Sequence, residues 1–170
     1  MYRSPLALIG LILVLLLLGT PAQAELTMEQ IKKEMTEGEK FRAYLHLRTL
    51  ADRGNPEAQF HLAGFYHYGY VGPVSFEAAR YWYGRSARQG NSEAMIGLAV
   101  LDQLGQGAPV DKREALVWVT IAGHFAIRNP DRALLNETRD RLIKELSPND
   151  VETAIAQARS FAPRSETPAP

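Results

Sequence analysis

Aromatic and imidazole side chains crowd one short stretch of this sequence, where they could form a contact surface. Phe60 and His61 are followed about two helical turns later by His67 and Tyr68. Phenyl and phenol rings supply a large contact area at a small cost in side-chain entropy. Imidazoles change their charge between about pH 5 and 8. The stretch is therefore a candidate for holding a partner, with some sensitivity to pH.

The four histidines do not have the spacing of a metal site. Two ligands on one helix face must lie at i, i+3 or i, i+4, whereas His61 and His67 are six residues apart and His46 and His124 are isolated. The chain also lacks the H-E-x-x-H, G-x-S-x-G, P-loop and G-x-G-x-x-G fingerprints. No two carboxylates are singled out as an acid–base pair. We therefore predict no catalytic residue, no metal site and no small-molecule cofactor.

Composition places the chain among ordinary globular proteins. Of its 170 residues, 46% are apolar and 22% are charged, which are average values for soluble domains. The 19 basic and 19 acidic side chains cancel, so the sequence has no basic footprint for nucleic acid. Cysteine is absent, which excludes disulfides, thiolate zinc sites, cysteine nucleophiles and iron–sulfur clusters.

The first 24 residues have the features of a secretory signal peptide. Arg3 precedes an apolar run over 6–18, and Ala22-Gln23-Ala24 supplies small residues for cleavage. We predict cleavage after Ala24 and a mature protein that is periplasmic or secreted. The alternative is an uncleaved inner-membrane anchor that faces the periplasm, although a spanning helix needs about 20 apolar residues and this run is shorter.

The rest of the chain repeats itself with a period of 36 residues. Eleven identities relate 54–89 to 90–125, in the same order and without a gap. A period in the thirties that contains two helical patterns predicts a helical solenoid. We predict an all-α fold, an α/α solenoid of antiparallel helix pairs with roughly eight helices. The predicted repeat domain covers 25–161. Its parts are a degenerate leading half-repeat over 27–53, repeats over about 54–89 and 90–125, and capping helices over 130–161. A disordered tail is predicted over 162–170.

The helix starts and the apolar positions recur with the same period. Ser75 and Asp111 cap the second helix of each unit, and Glu114 completes a capping box with Asp111. Small and aromatic residues at matching positions form the predicted core. Its members are Ala58, Leu62, Tyr66, Ala79, Trp82, Ala94, Leu98, Ala115 and Trp118. Because His46 aligns with the two tryptophans, we predict that it is a packed aromatic residue.

These residues resemble the Sel-like repeat (SLR) family, a relative of the tetratricopeptide repeat. The first unit supplies the family's residues at Gly54, Asn55, Ala58, Leu62, Tyr66 and Gly69. Two departures concern Ala63 and Ala99, which replace a glycine, and Asp102, which replaces the tyrosine. Asp102 predicts either a looser core in the second unit or a polar cluster. The resemblance implies a non-enzymatic module whose first helices line a concave groove.

The residues expected in that groove lie opposite the predicted core. They are Phe60, His61, His67, Tyr68, Ile96, Val100, Gln103 and Leu104. Apolar side chains on such a face predict a partner site, and burial by neighbouring helices is the alternative. We predict an adaptor or regulatory module of the bacterial cell envelope that binds a protein or peptide. The alternatives are an envelope protein that binds or hydrolyses peptidoglycan or another carbohydrate, or an inner-membrane-anchored periplasmic protein.

Overall fold

The computed structural model describes residues 27–126 and 132–166, and every regular element in these ranges is an α-helix. The helices are α1 (Met28–Thr36), α2 (Lys40–Asp52), α3 (Pro56–Tyr68), α4 (Phe76–Arg88), α5 (Ser92–Leu104), α6 (Lys112–Phe125), α7 (Arg132–Glu145) and α8 (Pro148–Arg159). None of these eight helices is long and apolar enough to cross a membrane. The predicted signal peptide over 1–24 lies outside the described residues.

From α1 to α7, consecutive helices pack against each other in chain order, which is the arrangement of a solenoid. α3 packs on α4 and α5 on α6, so each predicted repeat is one helix pair. The pairs stack through α2 on α3 and through α4 on α5, and α6 carries both α7 and α8. The predicted all-α solenoid is confirmed. The leading segment holds two helices, α1 and α2, and is therefore a shortened pair rather than half of one.

Matching caps give the two repeats the same helix boundaries. The side chains of Asn55 and Asn91 each accept a hydrogen bond at 2.9 Å from the backbone N–H three residues further on. Gly69 and Gly105 end α3 and α5 with φ of 65° and 66°, a left-handed conformation that glycine adopts without steric cost. The period seen in the sequence is thus a period in backbone geometry.

The capping box predicted at the start of α6 is only half formed. Asp111 accepts a hydrogen bond from the backbone N–H of Glu114 at 2.9 Å. The Glu114 carboxylate does not return to the cap, because it accepts a hydrogen bond at 3.2 Å from the side chain of Gln157 on α8. Since α8 packs against α6, tertiary packing supplies a partner that the local sequence does not show.

Most of the predicted repeat core is buried. Its buried members are Ala58, Leu62, Ala79, Trp82, Ala94, Leu98 and Ala115. Tyr66 and Trp118 differ from the prediction, because both pack against the core but stay partly exposed. The hydroxyl of Tyr66 reaches that of Tyr44 at 3.0 Å. The ring of Trp118 meets that of Phe161 edge-on, with centroids 6.2 Å apart.

His46 is not the packed aromatic residue that its alignment with the tryptophans predicts. Its side chain is partly exposed, and its Nδ1 lies 2.9 Å from the Oε2 atom of Glu34 on α1. A hydrogen-bonded imidazole therefore replaces an aromatic contact in the shortened leading pair.

The disordered tail predicted over 162–170 is wrong for its described part, 162–166. The backbone N–H of Arg164 donates to the carbonyl of Arg88 at 2.9 Å, and Glu166 forms an ion pair with Arg85. The composition of this segment predicts disorder, but polar groups at the end of α4 hold it in place.

Candidate binding site

Two adjoining grooves lie on the face of the stack that α3, α5 and α7 form. The aromatic groove, of about 350 Å³, is lined mainly by α3 and α5. The apolar groove, of about 370 Å³, lies between α5 and α7. The structure brings all eight predicted face residues into these grooves. The aromatic groove takes Phe60, His61, His67 and Tyr68, the apolar groove takes Gln103 and Leu104, and both take Ile96 and Val100.

Stacked rings form the exposed end of the aromatic groove. The rings of His67 and Tyr68 are nearly parallel, with centroids 4.7 Å apart and 9° between their planes. Tyr68 is 61% exposed, whereas Phe60 is partly buried against the core with its ring 5.1 Å from that of His61. A flat aromatic surface that faces solvent can be covered by a partner with a large gain in buried area.

Tyr83 of α4 forms the floor of the aromatic groove, a position that was not predicted from the sequence. It is 4% exposed, and its ring centroid lies 5.9 Å from that of Phe60 and 6.1 Å from that of His67. Gly97 of α5 leaves room for it, because a Cβ atom there would lie 3.0 Å from the Tyr83 ring. The sequence did contain a signal for this contact, which is Gly97 itself. Glycine inside a helix lowers helix stability by about 1 kcal/mol relative to alanine, so its presence there indicates a close packing contact.

The two histidines of the aromatic groove have lowered pKa values, which favours their neutral form. Burial lowers the pKa of His61, an effect that Lys32 reinforces and Glu57 opposes. Burial also lowers the pKa of His67, whose buried Nδ1 has no hydrogen-bond partner among the residues that the structure describes. Lys32 and Glu57, whose charges both act on His61, form an ion pair of 2.5 Å between Nζ and Oε1. The imidazole and aromatic rings of the groove thus favour an uncharged surface, with charged side chains beside it.

The apolar groove has leucines on its two sides and a polar contact at its rim. Leu104 of α5 and Leu134 of α7 are both exposed, and the buried Val119 of α6 lies between them at the base. Arg141 donates a hydrogen bond to Gln103 at 2.9 Å across the groove. The contribution of α7 was missed because this helix has no matching repeat from which its register can be predicted.

Asp102 is part of a buried polar contact. Of the two expectations for the second repeat, a looser core or a polar cluster, the structure shows the polar cluster. It is 2% exposed, and its Oδ1 lies 2.6 Å from Nη1 of Arg80. Burial raises the pKa of Asp102, and Arg80 opposes that shift. Arg80 aligns with Tyr44 and Asp102 with Tyr66, so an ion pair replaces the contact of two hydroxyls at the same place in the repeat.

In the part of the chain that the structure describes, chemical groups for catalysis or metal binding do not converge at these grooves. Among the described residues that line them, Glu93 is the single carboxylate. In the described ranges, no three histidine or carboxylate side chains are placed to hold a metal ion. The arrangement is suited to contact over an extended surface.

The family model of the Sel1 repeat matches residues 56–91 and 92–124. These are the two predicted repeats, with boundaries that differ by at most two residues. Sel1 repeats generally mediate contact between proteins and are generally non-catalytic. Among curated proteins, none matches this sequence.

Two solved structures share the fold. One is c5321, described as a protective antigen present in uropathogenic Escherichia coli strains with an SLR fold. Its sequence is 25% identical to this chain and the TM-score is 0.66. The match covers 74% of this chain and 26% of that protein. The other is a Sel1 repeat protein from Oxalobacter formigenes, 24% identical with a TM-score of 0.54, over 68% of this chain and 34% of that one. The match thus spans between a quarter and about a third of those proteins. Residues 56–124 form two Sel1 repeats, and the described chain is a helical solenoid whose fold is similar to that of these SLR structures.

Proposed function

We propose that this chain is a non-enzymatic adaptor or regulatory module that binds a protein or peptide in its two adjoining grooves. The observation that carries the proposal is that two adjoining grooves lie on the face formed by α3, α5 and α7, with Tyr68, Leu104 and Leu134 exposed along them. Clustered exposed apolar groups mark interaction sites, and buried aromatic anchors dominate binding energy at such sites. The general behaviour of Sel1 repeats supports the same function.

The location we propose for this function is the bacterial cell envelope. It rests on the sequence of the first 24 residues, with Arg3, the apolar run over 6–18 and the small residues Ala22 and Ala24. N-terminal sequencing of the exported protein should find Glu25 as the first residue. Retention of Met1 would instead support an inner-membrane anchor.

A carbohydrate ligand such as peptidoglycan is the second candidate for the aromatic groove. The observation that favours it is the flat pair of His67 and Tyr68, since aromatic faces can stack on sugar rings. Hydrolysis would also require two carboxylates that flank the scissile bond, whereas Glu93 alone among the described lining residues is acidic. Sedimentation of the protein with purified peptidoglycan separates this candidate from a protein partner.

Two exposed tyrosines provide a matched test of the groove. Tyr68 is 61% exposed and lines the aromatic groove, whereas Tyr81 is 57% exposed on α4 and lines neither groove. Partners captured from an envelope extract by the natural chain would be identified by mass spectrometry and titrated against Tyr68→Ala and Tyr81→Ala. We expect Tyr68→Ala to weaken binding about thirtyfold, the effect of losing about 2 kcal/mol, while Tyr81→Ala binds like the natural chain. Equal affinities for both variants would contradict the proposal.

A further inference from the structure

Residues 161–166, here called the trailing segment, cross the turns that join successive helix pairs. A Cβ atom added at Gly90 would lie 3.4 Å from Pro163, and one at Gly54 would lie 3.1 Å from both Cβ and O of Glu166. Gly54 and Gly90 are equivalent positions of the repeat, with φ of 90° and 97°. Three residues of chain span up to about 10 Å, the separation of packed helices. The trailing segment therefore contacts the equivalent turns of two successive repeats.

A carboxylate site receives Glu166 at the first of these turns. Nε of Arg85 lies 3.0 Å from each carboxylate oxygen, and Nε2 of Gln59 donates to Oε2 at 2.8 Å. The backbone N–H of Glu166 donates to Oε1 of Gln89 at 3.2 Å. The planar guanidinium of arginine matches a carboxylate in shape and charge, so side chain and backbone of Glu166 are recognised together.

The helix stack holds the groups of this site in place without help from the trailing segment. Gln59 is fully buried and donates a second hydrogen bond, at 3.1 Å, to a backbone carbonyl of α2. Gln89 donates to Oε1 of Gln59 at 2.8 Å and to the carbonyl of Gly54 at 2.9 Å. The guanidinium of Arg85 lies over the ring of Trp82, 5.0 Å from its centroid. The site is therefore preorganised, which lowers the entropic cost of binding.

An aromatic site lies one repeat further along the same edge. The ring of Phe161 meets those of Trp118 and Phe125 edge-on, with centroids 6.2 Å and 5.9 Å apart. Phe125 is the repeat equivalent of Gln89. This position of the repeat is thus apolar, Phe125, where Phe161 binds and polar, Gln89, where Glu166 binds. The edge therefore binds the segment in one direction.

The trailing segment itself is peripheral. Residues 162–165 are exposed. The segment is held by the side chains of Phe161 and Glu166 and by two hydrogen bonds from its backbone, to the carbonyl of Arg88 and to the side chain of Gln89. Contacts of this kind are replaceable by those of another peptide with the same two side chains, because the site is built by α3, α4 and α6.

We propose that this edge is a second binding site, separate from the two grooves, for an extended peptide with an aromatic residue followed five positions later by a carboxylate. The trailing segment occupies it as an intramolecular ligand and competes with a peptide of that kind from a partner. A short tether gives such a ligand an effective concentration of about millimolar. Weakening the hold of Glu166 therefore opens the site.

The test uses the full chain and a fluorescent peptide with the sequence of residues 159–170. In titrations followed by fluorescence anisotropy, Glu166→Ala in the chain should increase affinity for this peptide at least about tenfold over the natural chain, because the competitor loses its carboxylate contacts. A peptide that carries Glu166→Gln should bind the opened chain about tenfold more weakly. Arg85→Met combined with Glu166→Ala should remove the preference between the two peptides.

Three results would overturn the proposal. They are absence of binding to the Glu166→Ala chain, equal affinity of the natural and Glu166→Ala chains, and equal affinity of the two peptides. Glu166→Gln in the chain serves as a second opened variant if Glu166→Ala lowers the melting temperature. The variant that combines Tyr68→Ala with Glu166→Ala should bind the peptide like Glu166→Ala alone. The proposal for this site and the proposed function of the grooves can therefore be refuted separately.

Discussion

The two Sel1 repeats of this chain share their scaffold and differ in the surfaces they present. Both repeats cap their first helix with asparagine, end that helix with glycine and bury alanine at equivalent positions, Ala58 with Ala94 and Ala79 with Ala115. In the groove, the first repeat places Phe60, His61, His67 and Tyr68 where the second places Ile96, Gly97, Gln103 and Leu104. At the edge, Gln59, Arg85 and Gln89 of the first repeat become Met95, Ile121 and Phe125. If the proposed function holds, the repeated positions serve stability, and the positions that vary in the groove and at the edge serve recognition.

One exchange inside the stack shows how much variation the scaffold accepts. The hydroxyls of Tyr44 and Tyr66 meet at 3.0 Å, and the equivalent Arg80 and Asp102 form an ion pair of 2.6 Å. Both contacts link a second helix to the first helix of the following unit. The chemistry changes while the contact stays, because helix packing fixes the distance between these two positions.

The largest expected effect is the loss of stability when the tryptophans at the same position of the two repeats are replaced. Trp82 is buried and Trp118 is partly exposed, so the two should not be equally important. Trp82→Ala should lower the free energy of unfolding by about 4 kcal/mol through lost burial and a cavity, and Trp118→Ala by about 2 kcal/mol less. Urea unfolding of both variants measures this. Equal losses would mean that the repeats are energetically alike at this position.

The next effect concerns the buried ion pair of the second repeat. Asp102→Ala leaves the guanidinium of Arg80 without its partner, which should cost about 3 kcal/mol. Replacing both residues by tyrosine would install the pair that the first repeat uses. If the repeats are interchangeable here, Arg80→Tyr with Asp102→Tyr should recover at least about half of that loss in urea unfolding. A double variant less stable than Asp102→Ala would show that this position is specific to its repeat.

A smaller effect is expected where the two repeats are identical. Ala79 and Ala115 are fully buried at equivalent contacts between paired helices. Ala79→Leu and Ala115→Leu should each overpack that contact by about 1–3 kcal/mol, and the two losses should agree within about 1 kcal/mol. Thermal melts unchanged in both variants would refute the equivalence on which the repeat alignment depends.

Acid should release the trailing segment from the first repeat. Burial raises the pKa of Glu166, but hydrogen bonds from Arg85 and Gln59 and the charges of Arg85 and Arg88 outweigh it, so the pKa is lowered overall. The contact is complete above the ordinary glutamate pKa of about 4.3 and is lost as the pH falls through the lowered value. Hydrogen exchange at the Arg164 amide, corrected for its intrinsic pH dependence, should accelerate over this window. In Glu166→Gln the same amide should exchange fast at every pH.

The smallest effect comes from the histidines of the aromatic groove. His61 and His67 have lowered pKa values in the folded chain, so the unfolded chain takes up protons first as the pH falls below about 6.5. Folding stability should therefore decrease from pH 7 towards pH 5.5. Urea unfolding at both pH values should show a smaller decrease in the variant with His61→Gln and His67→Gln. An unchanged decrease would place the pH dependence elsewhere in the chain.

The repeat made most of the scaffold predictable from sequence. Caps such as Asn55 and Asn91 act on backbone groups three residues away, and identical spacing gives identical local geometry. The same register placed the eight groove residues on one face. Contacts between distant segments were not predictable, because nothing local encodes them. Tyr83 enters the groove from another helix, and Glu166 reaches an arginine 81 positions away.

The central claim is that the groove positions of the first repeat serve recognition and not stability, and a transplant from the second repeat tests it directly. Phe60→Ile with Tyr68→Leu gives the first repeat the residues of the second at two aromatic positions. Calorimetric titration with a partner identified by capture should show at least about thirtyfold weaker binding. Urea unfolding should show a loss of about 1 kcal/mol or less, since apolar volume is largely kept. Unchanged affinity together with a loss of several kcal/mol would contradict the account and assign these side chains to the core.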